Sequence, residues 1–503
     1  IDASIADRVA SVDGVAVTAP TVSGTAQIVG SDGEPLGGNG PPTLGANWIT
    51  VPSLTGYHLA AGRAPKGPGE VVIDARSARD GNLHLGSHTT VLTPTPVAVT
   101  VVGIAGFAGA DSIEDMDLVR HGGMDKLFAG SRAPTKLCTN LRAYTFGHVR
   151  QLDAVASRTL VGLADQVPAL LAGADQVAYL DVDDTIRRTY GYQKQGAAYG
   201  YSKVKGLNAQ VATVSSPLAA PVITATRLRR GNVASAHGGA RLIADGLATA
   251  RRAGATGVIT VRADSAYYQH AVVAAARAGG ARFSITARMD PAITAAISRI
   301  PETAWVGIKY PEAIWEEADQ RWISDAEVAE TTYTAFTSRE KAEHVTARLI
   351  VRRVKRLNAK SVPQGQGEMF SAYRHHAVFT DSSLAMLAAE VSHREHAIIE
   401  QVIDDLKAGP LAHAPSGVFT ANAAWTVLAA IAFNLTRAAG TLASGTHARA
   451  RTATIRAQLI NVPARVASRA RRLRLHLPTH WPWQTPWENL FDRLYPPPGA
   501  ART

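Results

Sequence analysis

The order of strand-type and helix-type segments predicts an α/β protein with a mixed central sheet. From Val177 the pattern runs strand, strand, strand, helix, strand, helix, strand. Two of those strands end on aspartates, Asp183 and Asp264, and a helix-spaced quartet, His393, His396, Glu400 and Lys407, lies far downstream. The first strand is Val177-Ala-Tyr-Leu-Asp-Val-Asp183; residues 206–214 and 221–227 supply the next two. All three are short β-type runs. A helix is expected over about 235–253, then the strand Gly257-Val-Ile-Thr-Val-Arg262 running directly into Asp264. A helix at about 266–278 and the strand Ala281-Arg-Phe-Ser-Ile-Thr-Ala287 complete the series.

Three strands in a meander followed by helix and strand in alternation is the order of an RNase H-like core. In that order the first strand and the end of the fourth lie side by side, so Asp183 and Asp264 converge. Residues 175–300 are expected to form the first part of this core. Residues 301–385 contain further β-type runs, such as Thr331-Thr-Tyr-Thr-Ala-Phe336 and Ala347-Arg-Leu-Ile-Val-Arg-Arg353, and read as a β insertion. Residues 386–440 resume the core with its final helices, one of them at about 420–438 with Trp425, Leu428, Ile431 and Leu435 at helical spacing. Residues 111–174 read as a helical region with scattered Lys and Arg, either the face of an ordinary helical bundle or a DNA-binding region, and residues 1–110 as a small β-rich module with turn signals between short strands. The Arg-rich tail, 441–503, holds eight Arg and no acidic residue between 441 and 476, the composition of a phosphate-binding surface.

At 100° per residue the quartet falls inside an arc of roughly 60° on a helical wheel, so one face carries the polar groups. Ile399, Val402, Ile403 and Leu406 form an adjoining stripe that anchors the helix and aims Glu400.

Composition bounds the remaining possibilities. With 503 residues the chain has length for two to four domains. The net charge of +11 suggests a polyanionic partner. Residues 1–110 carry five basic and eight acidic side chains, a net of −3, which leaves +14 for the remainder and suggests two polypeptides of different character joined together. Cys138 is the only cysteine, which excludes an intramolecular disulfide and a thiolate zinc cluster. No apolar run of 18 or more residues and no basic-then-apolar leader is seen, so neither a membrane partner nor export is expected. The chain begins at Ile1 and not at Met, in keeping with a fragment or an unusual start.

Two Asp and a distant Glu are what a two-metal phosphoryl-transfer site requires. Paired Mg²⁺ (or Mn²⁺) ions stabilise the attacking and leaving oxygens together, and hard cations call for carboxylate oxygen. Asp183 is assigned to bridge two ions, Asp264 to hold one and Glu400 the other. Asp181 projects from the same strand face and remains the alternative to Asp183, which is preferred for its Asp-x-Thr context. A Ser265, His270 triad lacks a nucleophile elbow. A zinc site from His375, His376, His393 and His396 lacks a thiolate or a His-x₃-His pair.

At these residues the chain resembles the bacterial insertion-sequence DDE transposases marked by a Tyr-x₂-Arg-x₃-Glu-x₆-Lys signature. The matching positions read His393-x₂-His396-x₃-Glu400-x₆-Lys407, with His in place of both Tyr and Arg, as in a His-substituted subfamily. Leu180-Asp-Val-Asp-Asp-Thr185, Tyr190-Gly-Tyr-Gln-Lys-Gln195, Arg262-Ala-Asp-Ser265, Leu349-Ile-Val-Arg-Arg353, His396-Ala-Ile-Ile-Glu400 and Asn434-Leu-Thr-Arg437 extend the likeness over about 111–503. The resemblance implies metal-dependent cleavage of element ends, then attack of the freed 3′-OH on target DNA. It also implies DNA contacts from His393, His396 and Lys407, with Arg394 supplying part of the lost charge. Double-stranded DNA (terminal inverted repeats and target) is the implied partner, bound by a homodimer in the cytoplasm, on the nucleoid. The β insertion is expected to hold the element's end, with Trp305, Trp315 or Trp322 available to stack on an extruded base.

Residues 1–110 resemble instead the extracytoplasmic domain of FtsX-like (MacB-like) ABC permeases, in Ala19-Pro-Thr-Val-Ser-Gly24, Ala61-Gly-Arg-Ala-Pro65, Gly69-Glu-Val-Val-Ile-Asp74 and Val101-Val-Gly-Ile104. The expectation is a transposase joined to a permease-like fragment. An RNase H-like nuclease without strand transfer, and an inactive transposase remnant carrying that fragment, are the alternatives.

Overall fold

The computed structural model describes residues 23–36, 44–49, 57–74, 77–78, 81–93, 95–107, 132–189, 193–310, 314–317, 321–323, 326–355, 373–469, 472–478 and 481–495. Part of the expected helical region (111–131), residues 19–22 of the Ala19–Gly24 motif and Tyr190-Gly-Tyr192 lie outside these residues. The chain divides into two units, residues 1–109 with 463–478, and residues 110–462 with 479–503.

The first unit is β-rich. Its five-stranded sheet runs Gln27–Ile28, His88–Leu92, Val97–Phe107 and Tyr57–Gly62, with Glu70–Asp74 parallel to Val97–Phe107. Ile73, Ala78, Leu83 and Val101 form its buried centre. A hairpin of Arg465–Arg469 and Arg472–His476 belongs to the same unit, so part of the Arg-rich tail is β structure.

The second unit is built on a ten-stranded sheet. Its main strands are β1 (Val177–Arg188), β2 (Lys205–Ser215), β3 (Val222–Arg230), β4 (Val258–Ala263), β5 (Arg282–Thr286), β6 (Ala326–Ala335), β7 (Val345–Lys355) and β8 (Tyr373–Thr380). Their spatial order is β3-β2-β1-β4-β5-β8-β7-β6. β4 is parallel to both β1 and β5, and the other neighbours are antiparallel. The strands expected as an insertion thus continue the central sheet: β8 pairs with β5 from Ser284↔Thr380 to Thr286↔Val378. That pairing gives the edge of β5 hydrogen-bonding partners it would otherwise lack.

Two helical layers cover β1 and β2, and side-chain alternation decides which residue faces which. Leu180, Val182, Ala212 and Val214 pack with Leu242, Ile243 and Leu247 of α3 (Gly239–Arg252). Ala209 and Val211 face the opposite way, toward Val402 and Leu406 of α6 (Ile398–Ala408) and Phe433 of α7 (Phe419–Ala443). Other helices among the described residues include α1 (Pro134–Arg142), α2 (Phe146–Gln166), α4 (His270–Ala278) and α5 (Met386–Arg394). α2 opens on a capping box in which Thr145 Oγ1 accepts from His148 N. Leu141 of α1 and Val149 of α2 share a cluster with Ala421, Ala424 and Val427 of α7, so the region before β1 is packed into the core.

The buried face of α7 differs from the expected one. Trp425 is partly buried, but Leu428 and Leu435 are 36% and 49% exposed, while Ala424, Val427, Ala430, Phe433 and Asn434 point inward. Small residues line the inner face because α7 lies against both a sheet and α2, and the larger side chains are displaced outward. α7 is also long and apolar enough to cross a membrane by length and composition, although it contains polar residues throughout. More than half of its apolar window is buried inside the fold, as in the core helix of a packed domain.

Asn434 ties α7 to the sheet. Its Oδ1 accepts from Ile223 N and its Nδ2 donates to Ile223 O, both at 2.8 Å, which satisfies the backbone of β3 beside the bulge at Ala212/Thr213. Replacing Asn434 with Leu leaves two buried backbone groups unpaired, and we expect a loss of about 2–4 kcal/mol in urea unfolding. A loss below about 0.5 kcal/mol would mean that water takes over both bonds.

Candidate active site

β1 sorts its acidic residues by parity. Asp181, Asp183 and Thr185 lie opposite Thr213, Val211 and Ala209 of β2, and so face the α6 layer. Asp184 faces the α3 side. The parallel pairing of β4 sets Arg262 beside Asp181 and Ala263 beside Val182, so Asp264 leaves the strand next to Asp183. Asp264 also caps the turn Ser265–Tyr267, its Oδ1 accepting from Ala266 N at 3.0 Å. Glu400 sits in the first turn of α6, exposed, on a helix held by the buried stripe Ile399, Val402, Ile403 and Leu406.

The electrostatics tie these carboxylates together. Burial is the main cause that raises Asp183, and the charges of Asp264, Asp184 and Glu400 add to it against a hydrogen bond from Asp184 N, leaving its pKa at about 7. Asp264 is likewise raised by burial and by Asp184, while His396 opposes the shift. A buried carboxylate surrounded by like charge is the donor set that a hard divalent cation would stabilise. Among the described residues no three His, Cys, Asp or Glu side chains are drawn closely enough to form a finished ion cage.

Asp181 has a different environment. Arg262 donates to it through Nε (2.6 Å) and Nη2 (2.7 Å), and both side chains are almost fully buried. Arg262 also donates to Ser392 O at 2.5 Å and lies over the Tyr179 ring at 4.0 Å. Both Asp181 oxygens are engaged, whereas the hydrogen bond recorded for the Asp183 side chain comes from its neighbour's backbone. This physical difference separates two aspartates that share one strand face. Asp184 is similarly engaged, by Arg229, by Asn208 Nδ2 at 2.9 Å and by Ser235 Oγ at 3.1 Å. Arg229 donates further to Asn208 Oδ1 and to the carbonyls of Ala234, Ser235 and His237. The sequence reading assigns neither Arg262 nor Arg229 a part in the site. The available signal for Arg262 is its place on β4, two residues before Asp264 and in register with the carboxylate face of β1.

The helical quartet is not one uniform face. Between α5 and α6 the residues Glu395–Ala397 form a 3₁₀ turn, and the four side chains differ in exposure and in partners. His393, expected to contact DNA, is 4% exposed, with Nδ1 3.0 Å from Ser284 Oγ and Nε2 2.9 Å from Thr286 Oγ1. Burial lowers its pKa to about 3, with His396 and Arg262 contributing, so it is a neutral anchor turned away from solvent. His396 stacks on it at 4.8 Å between centroids and reaches His393 O through Nδ1 at 2.6 Å. Arg394 Nε donates to Glu390 at 2.9 Å. Lys407 is half-buried in the last turn of α6.

Other candidates are also placed. His270 is 3.3 Å from Glu343 and edge-on to Phe336. The Arg353 guanidinium covers the Trp305 ring at 4.1 Å and the Tyr373 ring at 4.4 Å, so one face of Trp305 is occupied. Trp315 is 42% exposed, and the side chain of Trp322 lies outside the described residues.

A family model described as transposase DDE domain group 1 matches residues 104–497. The chain belongs to that family. The match begins a little before the expected boundary at 111 and leaves most of the first unit outside it. No curated protein matches the chain. Membership makes the protein a transposase by family, with DNA as the implied substrate and divalent metal ions as the general requirement of its kind.

The raised Asp183 gives a signed prediction. Its folded pKa lies above the unfolded value near 4, so its protonated form is tolerated below pH 4 and its ionisation destabilises the fold as pH rises through 7. Asp183→Asn should therefore raise stability at pH 8 without metal by about 2–4 kcal/mol, with the gain vanishing near pH 4. Equal unfolding midpoints for variant and parent at pH 8 would count against the burial of this charge. His393→Ala should cost about 2–3 kcal/mol, because it opens a cavity and strands two hydroxyls. Arg394→Ala, measured by the same urea titration, should cost about 1–3 kcal/mol, because it takes a charged hydrogen bond from the buried Glu390.

Proposed function

We propose that the protein is an insertion-sequence transposase with an RNase H-like core, cutting element ends and joining them to target DNA at Asp183, Asp264 and Glu400. The observation that carries this reading is the shared electrostatic environment of these carboxylates within the family match. Asp183 and Asp264 would hold divalent ions, two Mg²⁺ or Mn²⁺, with Glu400 completing the set as α6 moves toward them. Such ions supply Lewis-acid stabilisation of the attacking and leaving oxygens.

The chain's own residues have distinct parts in this proposal. The Asp181–Arg262 pair holds β1 against β4 and, through Ser392 O, fixes the start of the turn that aims Glu400. His393 anchors the same turn through Ser284 and Thr286, acting as a positioning residue. Lys407 meets a phosphate near the scissile bond, and His396 stands between the buried pair and the DNA. The helical region before β1 reads the terminal inverted repeats, largely through backbone contacts with a few to base edges. Two protomers pair the two ends in the cytoplasm, on the nucleoid. Residues before the family match are a permease-like segment joined to the transposase.

The test is cleavage of the element's own ends by full-length protein in Mg²⁺, with Asp264→Asn and Glu400→Gln alongside. Losing a group that merely orients a metal ligand costs about 10–100-fold, so each substitution should cost about 100-fold or more. Joined products on a target plasmid support transposition, while cutting without joining supports a nuclease. Activity that survives both substitutions would remove the assignment, and an inactive parent would mark the chain as a remnant.

A further inference from the structure

A second polar region, a cavity, lies on the same face of the sheet. It has a volume of about 470 Å³ and is lined by Tyr179, the Ser215–Pro221 turn, Asp405 and four arginines, Arg262, Arg437, Arg449 and Arg451. Their charges are not equivalent. Arg262 is matched by Asp181, and Arg451 donates to Asp405 at 2.6 Å. Arg437 and Arg449 instead bond to carbonyl oxygens, Arg437 to Ala448 and Ala450, Arg449 to Pro217 and Leu218. Among the described ion pairs, neither has a carboxylate partner. Arg437 is 5% exposed, and its buried Nε has no hydrogen-bond partner among the described residues. A buried guanidinium donor left open is costly unless something occupies the site. The one further acid on the wall, Glu395, is exposed.

Position says what that occupant is. Tyr179, Asp181 and Asp183 succeed one another on one face of β1, so the cavity wall at Tyr179 is about 13 Å along the strand from Asp183. A duplex strand presents a phosphate about every 3.4 Å along its axis, so one a few steps from a phosphate at the carboxylates falls within reach of Arg449 at the rim. Guanidinium groups suit phosphate oxygens through paired N–H donors.

We propose that this cavity is a phosphate-binding site for the DNA strand, with Arg449 at its mouth and Arg437 at its base, separate from the carboxylate site. The proposal rests on the transposase reading for the identity of the strand. It predicts a sequence-independent contact.

The experiment measures duplex DNA binding by full-length parent, Arg449→Ala and Arg437→Lys across a salt series, with thermal melting in inorganic pyrophosphate as a second arm. Arg449→Ala alters an exposed side chain and should fold. If Arg437→Lys melts early, Arg449→Ala decides the matter alone. The expected result is equal weakening on end sequences and unrelated DNA, with the salt slope reduced by about 1. Parental affinity and slope in a folded Arg449→Ala overturn the proposal while leaving the transposase reading intact. If the parent binds no DNA but pyrophosphate raises its Tm and not that of Arg449→Ala, the phosphate site stands, its DNA source is overturned and the transposase reading fails. No response in either arm overturns both.

Discussion

At the centre of the second unit a carboxylate and a guanidinium are buried together, and the surrounding geometry is organised about them. Asp181 and Arg262 are neighbours across the parallel β1/β4 pair, and Arg262 reaches on to Ser392, where the chain enters the turn before Glu400. A buried ion pair need add little net stability, because desolvation offsets its attraction, but removing one partner strands a charge at a cost of about 3–5 kcal/mol. Its contribution is therefore to exclude alternatives. A slip of β4 against β1, or a rotation of the helix, breaks the pair or the bond to Ser392. On one side of it lie Asp183 and Asp264; on the other lies the arginine-lined cavity, with Tyr179 stacked under Arg262. Two regions of opposite charge can share one sheet face because a neutralised pair separates them.

The acidic side is organised by unequal compensation. Of the aspartates on β1, Asp181 has Arg262 and Asp184 has Arg229 with Asn208 and Ser235, whereas Asp183 has carboxylates for neighbours. Arg229 is itself held by three backbone carbonyls and so cannot swing across to Asp183. The fold thus pairs the flanking acids with fixed cations, whereas the middle one is raised by burial with the charges of other carboxylates adding to it. That pattern is costly in a metal-free protein and is the arrangement expected where a mobile cation is meant to enter.

Much of this is legible in the sequence because it depends on local periodicity. The strands from Val177 to Thr286, the buried stripe of α6 and the convergence of β1 with β4 follow from alternation and helical spacing. The features that escape such a reading depend on packing or on distant partners. A helical wheel sets His393 near the face of Glu400, but it carries no information about what packs on α5, and Ser284 and Thr286 of the distant β5 supply an inward home for the imidazole. In α7 large apolar residues suggest the inner face, yet close packing against a sheet selects small ones, so Leu428 and Leu435 face out. The Arg-rich tail reads as free of acids only because Asp405, the partner of Arg451, lies outside that stretch of sequence.

The continuity of the sheet bears on how the β insertion can influence the site. β8 pairs with β5, and β7 carries Arg352 toward Glu390 of α5, at 3.5 Å, where Arg394 also binds at 2.9 Å. Glu390 is 4% exposed, so its charge is committed to these two arginines. The Arg352–Glu390–Arg394 cluster joins the insertion to the helix that leads into the turn before Glu400. A displacement of β7 would be transmitted to α5 and, through Ser392 and His393, to the proposed third carboxylate. In the proposed function, DNA held on the insertion would therefore bear mechanically on Glu400, which is exposed and has the greatest room to move of the three carboxylates.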